Sequence, residues 1–291
     1  MMPCARGKFI WKARGHRIRL GERTLIMGIV NVTPDSFSGD GVLAPGRREK
    51  VPGLAHALEL ARAGADILDI GGASSRPGSV PPGDRVEAGR VLPLIAALAK
   101  QVRLPISVDT VSVLVALEAL AAGASIVNLI QGTPADPQLL RAAGEARAGI
   151  ILMHMRGTPL TMQTAAMTRY RDVVAEVKAE LGMTLKDCAG FGVREESIVV
   201  DPGIGFAKTP QQNLKILRHL DEFALLGYPL LVGTSRKSFI GRVLGGKDDD
   251  RLVGTAATVA LAAMSGAHIV RVHDVKAMKQ AVLMADAIRT A

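Results

Sequence analysis

Arg271 and His273 stand two positions apart in Arg271-Val272-His273-Asp274, directly after the apolar run 267–270. If that run is a strand, alternation turns both side chains to one face and Val272 to the other. A buried arginine is costly without a partner, so the pair needs a carboxylate or an anionic ligand. Other apolar runs end in the same way. IMGIV leads to Asn31 and then Thr33-Pro34-Asp35. DILDI contains Asp69, ISVD ends at Asp109, and IVNL carries Asn128. IVVD ends at Asp201, and LLVGT leads to Ser235-Arg236-Lys237-Ser238. Each residue alone has a plainer use. Asp109 can cap a following helix, Asp201 before Pro202-Gly203 can form a turn, and Lys237 can be a solvated surface lysine. His154, inside Met153-His154-Met155, reads as structural. Polar tips on seven apolar strand bodies point instead to one shared mouth.

Such tips need an architecture that brings strand ends together. Strand-like runs occur at residues 24–32, 66–71, 105–109, 125–130, 149–155, 197–201, 229–234 and 268–273. Between them lie LAHALELARAG, VSVLVALEALAAG and NLKILRHLDEFALLG, with apolar residues at helical spacing and a closing glycine. Eight β-then-α units in 291 residues predict an α/β protein built as a single (β/α)8 barrel, whose chemistry sits at the C-terminal strand ends. A doubly wound open sheet would show fewer units. Residues 1–22 predict an N-terminal extension whose hairpin plugs the barrel floor, and residues 23–291 predict the barrel. One domain is expected over residues 1–291.

Composition narrows the ligand. The net charge is +9, from 36 Lys and Arg against 27 Asp and Glu, which suits an anionic small substrate. The basic residues are scattered and form no nucleic-acid motif, so a phosphorylated metabolite ranks above DNA or RNA. Aromatic residues make up 3%, too few for a stacking platform. Cys4 and Cys188 lack metal-ligand spacing, which with the lack of a signal-like stretch implies a reduced cytoplasmic protein. The longest apolar segment, 255–264, is too short to span a bilayer.

The segments MGIVNVTPDSFSGDG, DILDIGGASSRPGS, PISVDT, ILMHMRGTPLTMQ, VVDPGIGFAK, LLVGTSRKSFIG and IVRVHDV resemble the dihydropteroate synthase family, in that family's order, from about Leu25 to the last helix. The resemblance implies a TIM barrel that condenses 6-hydroxymethyl-7,8-dihydropterin pyrophosphate with p-aminobenzoate. The implied products are 7,8-dihydropteroate and pyrophosphate, with Mg2+ assisting, in a homodimeric sulfonamide-target enzyme of folate synthesis. Carried over residue by residue, it assigns the pterin pocket to Asp109, Asn128, Asp201 and Lys237, walled by Met153 and Phe206. It assigns the pyrophosphate to Asn31, Asp69, Arg271 and His273, with Asn31 as the metal ligand. It assigns p-aminobenzoate to Ser75, Arg76, Pro77, Ser235 and the stem of Lys237. Asp35, Asp109, Lys237, Arg271 and His273 are the implied catalytic residues. This sequence departs from the family's pattern at Ala73 for Glu, Ser75 for Thr, Leu129 for Asp, Ala207 for Gly, and Gly39-Asp40 in inverted order. Strand alternation predicts that Leu129 faces the helices if Asn128 faces the pocket. Two rival expectations are a methyltetrahydrofolate-type methyltransferase on the same barrel and a paralogue that binds pterin without turnover. The Ser-Arg-Lys-Ser and Arg-Val-His-Asp segments count against the first, because a methyl donor needs no diphosphate clamp.

Overall fold

The computed structural model describes residues 6–33, 51–245 and 251–291. Asp35 and the Gly39-Asp40 inversion lie outside the described residues. The chain begins with a hairpin of β1 (Phe9–Ala13) and β2 (His16–Leu20), paired from Phe9↔Leu20 to Ala13↔His16. Eight parallel strands follow: β3 (Leu25–Asn31), β4 (Ile67–Gly71), β5 (Ile106–Asp109), β6 (Ile126–Leu129), β7 (Gly149–Met153), β8 (Ile198–Asp201), β9 (Leu231–Val232) and β10 (Ile269–Val272). Their order is β8-β7-β6-β5-β4-β3-β10-β9, and a parallel bridge between Val200 and Leu230 joins the two ends. That closure makes a barrel and excludes the doubly wound alternative.

The helices around it are α1 (Leu54–Arg62), α2 (Asp84–Leu98), α3 (Val113–Ala122), α4 (Pro137–Glu145), α5 (Val173–Gly190), α6 (Pro210–Arg218), α7 (Ser238–Leu244), α8 (Leu252–Met264) and α9 (Val275–Thr290). Sequence and structure part in one helix. NLKILRHLDEFALLG predicts one continuous helix, but α6 stops at Arg218 and residues Leu220–Leu226 form a 3-10 turn. His219, at φ −115°, leaves helical geometry. The tighter turn stacks i and i+3, which buries Leu220 and Phe223 together.

The strands sort their side chains by parity. Ile26, Val30, Leu68, Ile70, Val108, Val127, Leu152, Val200, Val270 and Val272 face the helices in the main core. Inward-facing Leu25, Met27, Ile67, Ile126, Ile151, Val199, Leu231 and Ile269 pack against Trp11, Ala13 and Leu20 of the hairpin. This is the predicted plug, and it seals the floor. Trp11 Nε1 donates to Ser197 O at 2.8 Å, so the buried indole is satisfied. Gly149 permits the close fit: a Cβ there would stand 2.7 Å from Ala13 Cβ. No helix among the described residues is long and apolar enough to cross a membrane.

Candidate active site

Above the apolar floor, the same inward parity carries the polar residues. In register, Asn31 faces Gly71, Gly71 faces Asp109, and Asp109 faces Asn128 across β3 to β6. One layer lower, Ile29, Asp69 and Ser107 are aligned. From β10, Arg271 reaches across to both acids. Its Nε donates to Asp69 Oδ2 and its Nη2 to Asp109 Oδ2, each at 2.6 Å. Asn128 Nδ2 donates to the same Asp69 oxygen at 3.1 Å. Arg271, of the Arg271-His273 pair on β10, thus has carboxylate partners in the protein itself. Asp69 is fully buried, and its other oxygen, Oδ1, has no hydrogen-bond partner among the described residues.

Burial dominates the electrostatics of this cluster. It pushes the Asp109 carboxyl up to about 7, against the pull of Arg271 and with the added push of Asp69 and Glu87. It pushes Asp201 up to about 6, opposed by the Gly203 N–H, which donates to Asp201 Oδ1 at 2.7 Å, and by Lys237, Lys208 and Arg271. Burial and then the nearby Arg271 lower Lys237 to about 7, while Asp201 and Asp109 support its charge. The Lys237 ammonium lies 3.7 Å from the centre of the Phe206 ring. Gly205, at φ 87°, gives the stem of Lys237 room: a Cβ there would stand 2.8 Å from its Cδ. Phe206 joins Met153, Met155, Met162 and Ala207 in a small apolar wall.

Ser235 and His273 form a second pair. Ser235 Oγ and His273 Nδ1 are 3.0 Å apart, and the His273 N–H donates to the same oxygen at 3.1 Å. Arg236 does not join the cluster. Its Nε and Nη2 donate to Asp274 at 3.0 and 2.7 Å, bracing the loop after β9 against the end of β10. Asn31 Oδ1 and Asp109 Oδ2 lie on the same side of Gly71, 3.7 and 3.8 Å from where its Cβ would stand. Ser75 and Arg76 are half-buried and Pro77 exposed in the loop after β4. That loop is braced by Ser79 Oγ, which donates to Arg76 O at 2.7 Å, and by the Gly78 N–H donating to Pro159 O at 2.9 Å.

The structure therefore joins Asp69, Asp109, Asn128 and Arg271 directly. It sets Lys237 on Phe206 and Ser235 on His273, and holds Asp201 at the end of β8 beside Met153. Ser75, Arg76 and Pro77 stay in the adjoining loop. Leu129 packs outward against the helices, as alternation predicts. A surface groove of about 640 Å3 beside Ser112, Glu118 and Asp136 lies outside the mouth and holds none of these residues. Sequence reasoning missed Lys208, Arg156 and Glu180. The only signal was a lysine closing the otherwise apolar segment Ile204-Gly205-Phe206-Ala207.

Ala207, in place of the common glycine, sits at φ 49°, the left-handed region that an L side chain occupies at a cost of about 1 kcal/mol. Ala207→Gly is expected to gain up to about 1 kcal/mol in urea unfolding, less the greater freedom of glycine in the unfolded chain. A loss of stability would show that the methyl's packing outweighs the strain.

A closed parallel barrel with carboxylates, an amide, a lysine and an arginine converging at its C-terminal mouth defines a (β/α)8 enzyme that binds a polar small molecule. Comparison with known proteins narrows the class. The family model for pterin binding enzymes matches residues 27–273. Dihydropteroate synthase of Synechocystis sp. is 47% identical over 270 residues, covering 92% of this chain and 91% of that protein. The solved structure of the Yersinia pestis dihydropteroate synthase with a sulfonamide drug complex superposes with a TM-score of 0.90. The two are 38% identical, and the match covers 97% of this chain and 100% of that one. The Xanthomonas albilineans dihydropteroate synthase in complex with 7,8-dihydropteroate has a TM-score of 0.83 at 38% identity, covering 95% of this chain and 97% of that one. The chain belongs to the pterin-binding enzyme family, among its dihydropteroate synthases.

Proposed function

We propose that this mouth condenses 6-hydroxymethyl-7,8-dihydropterin pyrophosphate with p-aminobenzoate by a dissociative substitution, releasing 7,8-dihydropteroate and pyrophosphate. The observation that carries the proposal is the convergence of Asp69, Asp109, Asn128 and Arg271 at one end of the barrel. A pterin presents ring N–H and amino donors beside carbonyl and ring-nitrogen acceptors. Asp109 and Asp201 accept from the donors, while Asn128 and Lys237 donate to the acceptors. Met153 and Phe206 supply apolar walls.

The scissile bond joins the pterin methylene to a diphosphate oxygen. As it breaks, positive charge spreads from the methylene into the ring, and negative charge collects on the leaving group. Asp109 and Asp35 oppose the first charge, and Arg271 and His273 receive the second. Nε and one N–H of Nη2 go to Asp69 and Asp109, so Arg271 meets the diphosphate with its Nη1 donors. The neutral amino group of p-aminobenzoate then attacks the methylene and gives its proton to solvent. It is already nucleophilic, so no strong base is needed. Ser75, Arg76, Pro77, Ser235 and the stem of Lys237 flank its ring, and Asp69 balances the charge of Arg271.

The donor set also fits Mg2+. Asn31 offers a hard amide oxygen beside Asp109, and Mg2+ commonly pairs a few protein oxygens with substrate phosphate oxygens and water. Among the described residues no three His, Cys, Asp or Glu converge on one metal position. When bound, the ion neutralises charge on the leaving diphosphate.

The proposal includes a cytoplasmic homodimer. Exposed Val243, Leu244, Val253, Met284 and Ile288 on α7 to α9 offer apolar surface for a second copy, and Cys188 is buried and unbridged.

Lys237→Ala tests the site. It removes a donor to the pterin and a wall of the aminobenzoate site, so kcat/KM should fall at least ~10-fold in steady-state kinetics. Turnover near that of the parent protein would contradict the placement of both substrates.

A further inference from the structure

Lys208 is buried, and among the described residues its ammonium touches no carboxylate. It donates to Gly203 O at 3.0 Å, to Phe206 O at 2.9 Å, and to His154 Nδ1 at 3.0 Å. Because Nδ1 accepts, His154 is neutral and carries its proton on Nε2, which donates to Glu180 Oε2 at 2.9 Å. Burial, reinforced by Lys208, pushes His154 down to about 4, consistent with that tautomer. Glu180 is gripped in turn by Arg156, through Nε at 3.0 Å and through Nη2. The Arg156 guanidinium lies 3.9 Å from the centre of the Tyr170 ring. The chain of contacts runs from the outer helix α5, through the loop after β7, to the turn after β8.

That turn carries three features of the site. Its Gly203 N–H holds Asp201, its Gly205 lies against the stem of Lys237, and its Phe206 lies under the ammonium of Lys237. Two carbonyls of the same turn converge on Lys208. A salt bridge alone would need a carboxylate, and a lysine serving only to fill space would not sit in a ring of acceptors. We propose that Lys208 is a positioning residue for the pterin side of the site: it clamps the 203–206 turn from behind and so sets Phe206 and Asp201, without touching substrate itself. The inference rests on the pterin assignment given above.

The test compares Lys208→Met with the parent protein, measuring the Kd of the pterin pyrophosphate by calorimetry without p-aminobenzoate and then the full steady-state kinetics. Lys208→Met should weaken pterin binding about 10-fold, because it removes charge-assisted hydrogen bonds. The KM for p-aminobenzoate and kcat at saturating pterin should stay within about two-fold. Lys208→Gln, whose amide still donates to the turn, should recover most of the affinity. A folded Met variant with unaltered pterin affinity overturns the proposal, as does a loss spread evenly over pterin, p-aminobenzoate and kcat. If the Met variant does not fold, Glu180→Gln probes the chain from its partly exposed end. It should weaken pterin binding about threefold with the same selectivity, and unchanged binding would overturn the proposal. A parent protein that binds no pterin would refute the pterin assignment itself, a result distinct from any of these.

Discussion

Arg271→Ala is expected to lower kcat/KM at least ~100-fold and to destabilise the ligand-free protein at the same time. The catalytic loss follows from removing the cation that receives the departing diphosphate. The stability loss follows from the ligand-free geometry. Arg271 neutralises Asp69, which is fully buried, and Asp109, which is 12% exposed. Breaking a buried pair by deleting one partner leaves uncompensated charge and costs about 3–5 kcal/mol. Arg271→Lys should repair little of either effect. A single ammonium cannot reproduce the fork by which Nε and Nη2 reach two different carboxylates. Activity assays and urea unfolding on both variants check the pair of effects. An alanine variant as stable as the parent would mean that the acids find another partner.

Asp109→Asn separates the two effects. It removes the carboxylate that opposes charge on the pterin, and activity should fall about 100-fold. Stability should behave differently. The folded Asp109 carboxyl is raised, chiefly by burial, from its ordinary 3.8 to about 7. A raised folded value means that its contribution to stability is fully present below about 3.8 and is lost as pH rises through about 7. At pH 8 the ionised, buried Asp109 is therefore a net cost, and asparagine removes it. The variant should unfold at the same or higher urea concentration than the parent at pH 8, and lose this advantage towards pH 4. The parent's kcat/KM should also fall as pH drops through about 7, where Asp109 takes up its proton, and the asparagine variant should keep only the fall that Asp201 contributes near 6. A variant clearly less stable at pH 8 would show that the bond to Arg271 outweighs the burial of Asp109.

The barrel was readable because its signals are local and repeated. The barrel strand bodies are mostly apolar runs, the helices keep their spacing, and the hairpin around Gly15 lies between two β-like runs, of which HRIRL alternates polar and apolar residues. The helix break at His219 was not readable, because apolar spacing alone does not separate a helix from a following 3-10 turn. At the site, alternation foretold that Arg271 and Asp109 would share the mouth and that Leu129 would face away. It did not foretell that Asp274 serves Arg236 rather than the cluster. The lysine behind the turn was also hidden. Lys208 and Lys237 look alike in sequence, yet one sits on an aromatic face and the other is ringed by carbonyls. The departures fall into two kinds. Leu129 changes packing against the helices, and Ala207 stores strain beside Phe206. Nothing in the structure explains why Ala73 replaces a carboxylate.

One assay tests the central claim. Purified protein is mixed with 6-hydroxymethyl-7,8-dihydropterin pyrophosphate, p-aminobenzoate and Mg2+, and dihydropteroate is quantified by mass while pyrophosphate release is followed in parallel. Equal formation of both products, abolished without enzyme and suppressed by chelating the metal, is the predicted result. Folded protein that binds the pterin pyrophosphate but yields no dihydropteroate would contradict the account, and would turn attention to Ala73 and to the loop that carries it.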